Sequence, residues 1–268
     1  METTKKTNSA PVVVSKPFLT GKPVDTTTGK SALLILGSLV VVAILYLIVC
    51  GMMMFDSLPL RIVTNGLVVF LTLAVFYSSG MSQGSVAVNN GEIMFHRRET
   101  GAQILPEELA RSYHPLKGFL TGLIGTLPLF LCALVFALIT KRQTTGLGAL
   151  PSWISSLEKR EEVGLALNYY HQTNGWTLEN LLRVVIRLST MPYVNIVGSS
   201  NPDGLLLLER LSPILVLLPG LSYGVGYTQG VQVRSRVHAD IAKNTRKKAR
   251  KNARKRKAVK VKGPKELN

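Results

Sequence analysis

The densest cluster of chemically active side chains in this chain is the run RKKARKNARKRK, residues 246–257. Nine of its twelve positions are basic, and none is acidic or aromatic. Such a cluster neutralises phosphates and other anions, so it predicts binding to a polyanion with a steep dependence on salt. The predicted polyanion-binding residues are Arg246, Lys247, Lys248, Arg250, Lys251, Arg254, Lys255, Arg256 and Lys257.

The positive charge of the protein is concentrated at this end of the chain. Residues 241–268 hold 13 of the 32 lysines and arginines and one acid, Glu266, while the whole chain carries a formal charge of +17. The rest of the chain is only mildly basic, unlike a nucleic-acid-binding polycation. No Phe, Tyr or Trp follows Tyr227. Base stacking is therefore unavailable, and we expect no recognition of a specific DNA or RNA sequence.

The other reactive residue types do not form the pattern of a known enzyme site. The histidines His96, His114, His171 and His238 are scattered and give no HExxH motif. The chain has no nucleophile elbow, Walker loop or dinucleotide fingerprint. The segment EELAR, 107–111, is one residue short of the Glu-Glu-x3-Arg signature of the CAAX-protease-like family and lies outside the apolar segments. We predict a non-enzymatic protein with no metal site and no cofactor.

Four apolar segments are long enough to cross a bilayer, which requires about 20 residues of helix. The first, SALLILGSLVVVAILYLIVCGMMMF, contains no charged side chain. The predicted spans are residues 31–54, 58–79, 118–140 and 205–230. The sequence therefore predicts an all-α, polytopic integral membrane protein with four transmembrane helices.

Polar segments flank and separate these spans. Residues 1–30 are rich in Pro, Thr and Lys, which indicates a disordered tail. In the 80–117 loop, the alternating pattern around Asn90-Gly91 favours a β-hairpin turn. The segment PEELARSY, which follows it, is a short helix candidate with acids in its first turn. Residues 231–268 form a basic tail, helical or disordered.

The 141–204 loop contains two predicted amphipathic helices, SWISSLEKREEVGLALNYYHQ and TLENLLRVVIRLS. In the second, Arg183 and Arg187 lie opposite an apolar face formed by Leu181, Leu182, Val184, Val185 and Leu188. We expect this helix to pack on its neighbours or to lie on the bilayer surface. A fifth span is the alternative, although each arginine near the bilayer centre would cost about 2.5–3.5 kcal/mol.

Small residues four positions apart occur in the third and fourth spans. Gly118 and Gly122 form such a pair in the third span, and Gly220 and Gly224 form one in the fourth. Small residues at this spacing allow two helix backbones to approach closely. We therefore predict that these glycines are helix-packing residues and that the two spans are in contact.

The distribution of Lys and Arg predicts the orientation of the chain. If both termini face the cytoplasm, 24 basic residues lie on that side and 8 on the other. This asymmetry follows the positive-inside rule, although Lys141 and Arg142 directly after the third span run against it. We predict a multi-pass protein of the cell membrane with cytoplasmic N- and C-termini and an extracytoplasmic 141–204 loop.

These patterns predict a membrane-anchored scaffold or accessory subunit whose tail binds a polyanion. The candidates are anionic phospholipid of the bilayer, ribosomal RNA, or an acidic face of a partner protein; a tail that only fixes topology is a further reading. In composition the tail resembles those of the YidC family of insertases, which would imply tethering to the ribosome. The alternative function is a small transporter or permease component with the third and fourth spans lining the path.

Overall fold

The computed structural model describes residues 16–52, 55, 57–141, 160, 162–163, 177–198 and 201–261. Every regular element in these ranges is a helix, and no strand occurs among them. Four of the helices are long and apolar enough to cross a membrane. The prediction of an all-α chain with four such helices is confirmed.

The long helices begin and end close to the predicted spans, except that the second one continues about twenty residues beyond its predicted end. Proline occupies the first turn of several of them, where its missing N–H costs no hydrogen bond. In chain order they are α1 Thr26–Met52, α2 Leu58–Glu99, α3 Pro106–Ala110, α4 Pro115–Ile139, α5 Leu178–Ser189, α6 Met191–Val197, α7 Pro202–Thr228 and α8 Gly230–Val261.

Helices α1 and α4 run in one direction, and α2 and α7 run in the other. At one end of the bundle Asp25 binds Lys117. At the opposite end the hydroxyl of Thr140 donates to the carboxylate of Glu209. We call the first end the α8 end, because α8 begins there, and the second the hairpin end, because the hairpin formed by α5 and α6 enters there. Helix α7 makes its largest contacts with α4 and then α2, whereas α1 packs mainly on α4.

Glycines bring α7 into backbone contact with α4. A Cβ atom on Gly122 would lie 2.3 Å from the carbonyl oxygen of Gly220, and one on Gly220 would lie 2.8 Å from that of Gly122. Gly118 lies against the Tyr227 side chain, and Gly224 faces the ring of Phe119. The structure thus places all four predicted helix-packing glycines in the interface between α4 and α7.

A second glycine interface, which the sequence analysis did not identify, joins α7 to α2. Cβ atoms on Gly80 and Gly84 would lie 2.1 and 2.2 Å from the carbonyl oxygens of Tyr223 and Tyr227. On the other side of this contact, Gly226 lies against the backbone of Tyr77. Helix α7 is therefore held between two neighbours at distances that only glycine permits.

Residues 16–25 belong to the predicted disordered tail, but the structure packs them onto the bundle. The Leu19 N–H donates to the Gly91 carbonyl at 3.1 Å, and the Gly21 N–H donates to the Tyr113 carbonyl at 2.9 Å. The Phe18 ring meets the Tyr113 ring edge-on, with 5.9 Å between centroids. These contacts join residues that are remote in sequence, so composition alone did not reveal them.

Asp25 starts α1 and connects it to α4. Its carboxylate accepts hydrogen bonds from the backbone N–H groups of Thr27 and Thr28 at 3.0 and 2.9 Å, as an N-capping residue does. It also binds Lys117 Nζ at 2.9 Å, with both side chains buried. Burial alone would raise the pKa of Asp25, but hydrogen bonds from Lys117, Thr27 and Thr28 outweigh it and leave that pKa below its usual 3.8.

The expected β-hairpin turn at Asn90-Gly91 is wrong, and most of the predicted 80–117 loop is helical. Helix α2 continues without a break to Glu99. A Cβ on Gly91 would lie 2.7 Å from the Leu19 carbonyl oxygen, so this glycine serves the docking of the N-terminal segment rather than a turn. Tertiary packing outweighs the local turn preference here.

Helices α5 and α6 form a hairpin that enters the bundle from the hairpin end. On the way in, Ile186 packs on Ala133 and Phe136 of α4. At the tip, Ser189 and Tyr193 line a small cavity that they share with residues of the four long helices, namely Leu39, Tyr46, Thr72, Leu129 and Val216.

The second helix of the hairpin, α6, runs from the tip back to the hairpin end. Along α6 the Asn195 amide donates to the Cys50 carbonyl at 3.0 Å, and Gly198 then lies against Arg61. On α2, Arg61 and Thr72 are eleven residues apart, which is about 16 Å of helix. The tip therefore lies about halfway along the bundle.

Helix α5 packs on its neighbours, which is one of the two expected placements, and its arginines turn inward together with part of its apolar side. Arg183 is 7% exposed and points inward, whereas Leu181 and Val184 are 47% and 65% exposed. The cause is Glu209 of α7, which is 3% exposed and forms ion pairs with Arg183 at 3.3 Å and Arg187 at 2.7 Å. The buried acid therefore draws both arginines toward the bundle, while Ile186 of the same helix stays buried in the core.

Some of the predicted segments lie outside the described residues. These are the first predicted amphipathic helix of the 141–204 loop, apart from residues 160 and 162–163, and the terminal segments 1–15 and 262–268.

The glycine contact between α4 and α7 leads to a first prediction. Gly122→Ala should lower the free energy of unfolding by about 1–3 kcal/mol, because the new methyl group meets backbone that can move only with its helix. The measurement is thermal unfolding of the detergent-solubilised protein. The matched control is Gly37→Ala, where a Cβ meets no atom within 4 Å. Equal losses in both variants would contradict the close contact.

The buried ion pairs of Glu209 lead to a second prediction. Glu209→Gln removes the acid that Arg183 and Arg187 share and leaves Arg183 with Glu179, which lies 2.7 Å away but is partly exposed. Stability should therefore fall by about 3 kcal/mol, the lower end of the cost of breaking a buried ion pair. The control is Glu108→Gln, which breaks a pair with Arg97 whose side chains are both exposed to solvent. This change should cost less than about 1 kcal/mol. Similar melting temperatures for the two variants would refute the buried network.

Candidate functional site

The predicted polyanion-binding residues lie on one helix, α8, which follows α7 after a single intervening residue. Every residue from Lys243 to Ala253 is exposed, including Arg246, Lys247, Lys248, Arg250 and Lys251. The remaining four predicted residues, Arg254, Lys255, Arg256 and Lys257, continue the same helix. The structure therefore presents the basic run as a helix that extends beyond the bundle.

The base of α8 is fixed to the extension of α2 by one acid, Glu92. Its carboxylate pairs with Arg234 at 3.0 Å and lies 2.7 Å from His238 Nε2. Arg234 also donates to the side-chain oxygen of Asn89. The side chains of His238 and Glu92 are only 7% and 11% exposed. We call these four residues, Asn89, Glu92, Arg234 and His238, the brace.

Backbone contact aligns the two helices before the brace begins. A Cβ on Gly230 would lie 2.3 Å from the backbone of Gly84, so α2 and α8 touch at the first residue of α8. The contacts then advance together along both chains, from Gly84 with Gly230 to Glu92 with His238. Helices α2 and α8 are therefore parallel over about two turns and leave the α8 end side by side.

The brace sets the direction in which α8 leaves the bundle, and the length of α8 sets how far the basic residues are from it. Gly230 and Ala253 are 23 residues apart, which corresponds to about 35 Å along a helix. The basic side chains from Lys243 to Lys251 are therefore displayed on a projecting rod that is anchored at its base. Such a rod can reach phosphates well away from the bundle, and it offers charge rather than a shaped pocket.

Sequence reasoning did not identify the brace residues. Arg234 and His238 are four positions apart, which places them on one face of a helix. This spacing could have indicated a shared partner for the two side chains. Their partner Glu92 lies in a segment that the sequence analysis treated as a loop. The pairing could be found only once α2 was known to continue to Glu99.

The described residues contain no group of three or more His, Cys, Asp or Glu side chains that could hold a metal ion. The two cysteines, Cys50 and Cys132, are free thiols. No protein-family model, curated protein or solved structure matches the chain.

The brace leads to a third prediction. Glu92→Gln removes the charge that holds Arg234 and His238, so α8 should separate more often from α2. Amide hydrogen exchange in residues 231–241 should then accelerate at least about tenfold, the factor that corresponds to 1.4 kcal/mol of local stability. The measurement is hydrogen–deuterium exchange on the intact protein.

The control for this variant is Glu99→Gln on the same helix. Glu99 is an exposed acid whose ion-pair contact, to His96, is at 3.7 Å. The exchange rate of residues 231–241 should stay unchanged in this control. The brace is refuted if the two variants exchange at the same rate.

Proposed function

We propose that this protein is a non-enzymatic integral membrane scaffold that tethers a soluble polyanion through α8. The four long helices carry many exposed apolar side chains, among them Leu33, Leu34, Phe70 and Leu138, each exposed by 66% or more. An apolar surface of this extent would be covered by lipid rather than water. The inward-facing arginines of α5 support the same placement, because charged side chains within a bilayer face the interior of the bundle.

The proposed orientation puts the α8 end in the cytoplasm. Lys30, Arg98 and Arg111 are exposed near this end, together with the basic residues of α8. The hairpin α5–α6 would then enter the bilayer from the other side and turn near its middle. In this arrangement the multi-pass protein belongs to the cell membrane and exposes its basic rod to the cytoplasm.

The direction of α8 favours RNA over anionic lipid as the polyanion. The attraction of an anionic membrane surface decays within about one Debye length, roughly 8 Å at physiological salt. The brace directs α8 alongside α2, which crosses the bundle and continues outward from it. The basic residues 246–257 would then start about 24 Å beyond Gly230, too far for the lipid surface to hold them. Ribosomal RNA offers the required density of phosphates at that distance.

The transporter alternative places a path between the third and fourth spans, α4 and α7. Those two helices are in backbone contact at Gly122 and Gly220, and this contact leaves no space for a path at that level. An acidic protein partner remains a competitor for the basic rod, because it would recognise the same charges. The test below separates it from RNA.

The proposed tether leads to a fourth prediction. The full-length protein in nanodiscs should co-sediment with ribosomes, and substitution of the nine basic residues of 246–257 by Gln should abolish this. If about six phosphates are neutralised, binding should weaken between 50 and 200 mM salt by roughly 300-fold for single-stranded contacts and by roughly 2,000-fold for duplex contacts. The measurement is the bound fraction as a function of salt, with and without prior ribonuclease treatment.

A variant that keeps the charge of the run but changes its residue types tests whether charge alone is responsible for binding. It carries arginine at the five lysines of the run, Lys247, Lys248, Lys251, Lys255 and Lys257, and it should bind as well as the unmodified protein. Binding that survives ribonuclease would point to an acidic protein. If added anionic vesicles that contain no protein displaced the ribosomes and bound α8 in their place, the preferred polyanion would be lipid. Either result would contradict the proposed RNA tether.

A further inference from the structure

A groove between α1 and α2 opens at the α8 end of the bundle. Its mouth is a polar cavity of about 170 Å³, lined in part by Ser31, Gln83, Asn90 and Arg111. The side chain of Arg111 is exposed and has no ion-pair partner among the residues that the structure describes. The mouth therefore offers one uncompensated positive charge next to hydroxyl and amide groups.

The deeper part of the groove is mainly apolar. A second cavity, of about 130 Å³, shares Ser31, Gln83 and Tyr223 with the mouth, so the two lie next to each other along the groove. Its walls come from α1 and α2 and include Leu34, Ile35, Val42, Val75 and Phe76. The exposed side chains of Leu34 and Val75 lie at its outer edge. The groove is thus charged at one end, apolar along its length, and open to the side.

The hairpin α5–α6 closes the groove at mid-depth. Val42 belongs both to the apolar cavity and to the small cavity at the hairpin tip, where Ser189 and Tyr193 lie. From Ser31 to Val42 the groove follows eleven residues of α1, or about 16 Å. That length is about half of the hydrocarbon thickness of a bilayer, so the groove spans one leaflet.

A buried tyrosine hydroxyl at the mouth favours a binding site over a packing defect. The hydroxyl of Tyr227, which lines the mouth, is buried; it has no side-chain partner among the described residues and meets the His114 backbone without a well-aligned hydrogen bond. An unsatisfied buried hydroxyl costs about 1–3 kcal/mol, and a polar ligand group or a water molecule removes that cost. Thr121, which is also buried, lines the same cavity, and its hydroxyl already donates to the Lys117 carbonyl at 2.7 Å.

We propose that the groove between α1 and α2 binds one anionic phospholipid of the cytoplasmic leaflet. The headgroup phosphate lies at Arg111, and one acyl chain lies between α1 and α2 and ends below the hairpin tip. The site is distinct from the basic rod of α8, and it rests on the proposed membrane placement but not on RNA binding. Charge at the mouth, apolar walls and the length of one leaflet fit a lipid better than a water-soluble anion.

Lipid photocrosslinking in proteoliposomes tests this site in the full-length protein. Two lipids, phosphatidylglycerol and phosphatidylcholine, carry the same photoreactive group on the same acyl position. Cross-links to residues 34–42 and 75–79 should be about fivefold more frequent with the anionic lipid, the preference that one arginine near an anionic surface provides. Equal labelling by both lipids would overturn the proposal.

Three variants make the result specific. Arg111→Gln should remove the preference, and Arg98→Gln, which neutralises another exposed arginine near the α8 end, should retain it. Ser79→Trp fills the apolar cavity without touching Arg111, so it should reduce labelling of residues 34–42. A preference that persists in Arg111→Gln, or unchanged labelling in Ser79→Trp, would refute the site.

The variant with nine Gln substitutions in residues 246–257 separates this site from the tether. Its cross-linking pattern in the groove should match that of the unmodified protein, although its ribosome binding is expected to be lost. If groove labelling disappears along with ribosome binding, the lipid is recruited by α8, and the groove proposal is wrong. If the unmodified protein does not bind ribosomes but shows the lipid preference, the groove proposal is supported and the proposed RNA tether is wrong.

Discussion

Backbone contact around α7 is the constraint on which the other features of this structure depend. Glycines on both sides of the contact set the distance of α7 from α4 and from α2, and no side chain larger than hydrogen fits at Gly80, Gly84 or Gly122. Close packing of this kind can hold helices together even where their surroundings provide little hydrophobic driving force between them. The same contact fixes where α7 ends and in which direction α8 leaves.

The fixed position of α7 has consequences at both ends of the bundle. At the hairpin end it buries Glu209, which can be accommodated there only with cations beside it, and α5 supplies them. At the α8 end it sets Gly230 against Gly84, so that Arg234 and His238 reach Glu92. Helix α1 takes no part in these glycine contacts and packs mainly on α4, which leaves the groove beside α2.

Local patterns in the sequence predicted the features that depend on one segment at a time. The uncharged run of α1 and the glycine spacing in α4 and α7 need no knowledge of the rest of the chain, and the structure contains the corresponding helices and contacts. The polar end of α2 was mistaken for a loop, because its helix is stabilised by Leu19 and Tyr113, which are distant in sequence. The inward orientation of Arg183 was missed for the same kind of reason, since its partner Glu209 lies on another helix.

The most direct test of the central claim is the distance between α8 and the bilayer. A spin label at Ala253, in a variant without Cys50 and Cys132, can be measured against paramagnetic lipid headgroups in nanodiscs. We predict a separation of about 35 Å, the helical distance from Gly230 to Ala253. A label within about 10 Å of the headgroups, at low and at physiological salt, would contradict it, because α8 would then lie on the membrane surface and bind lipid there.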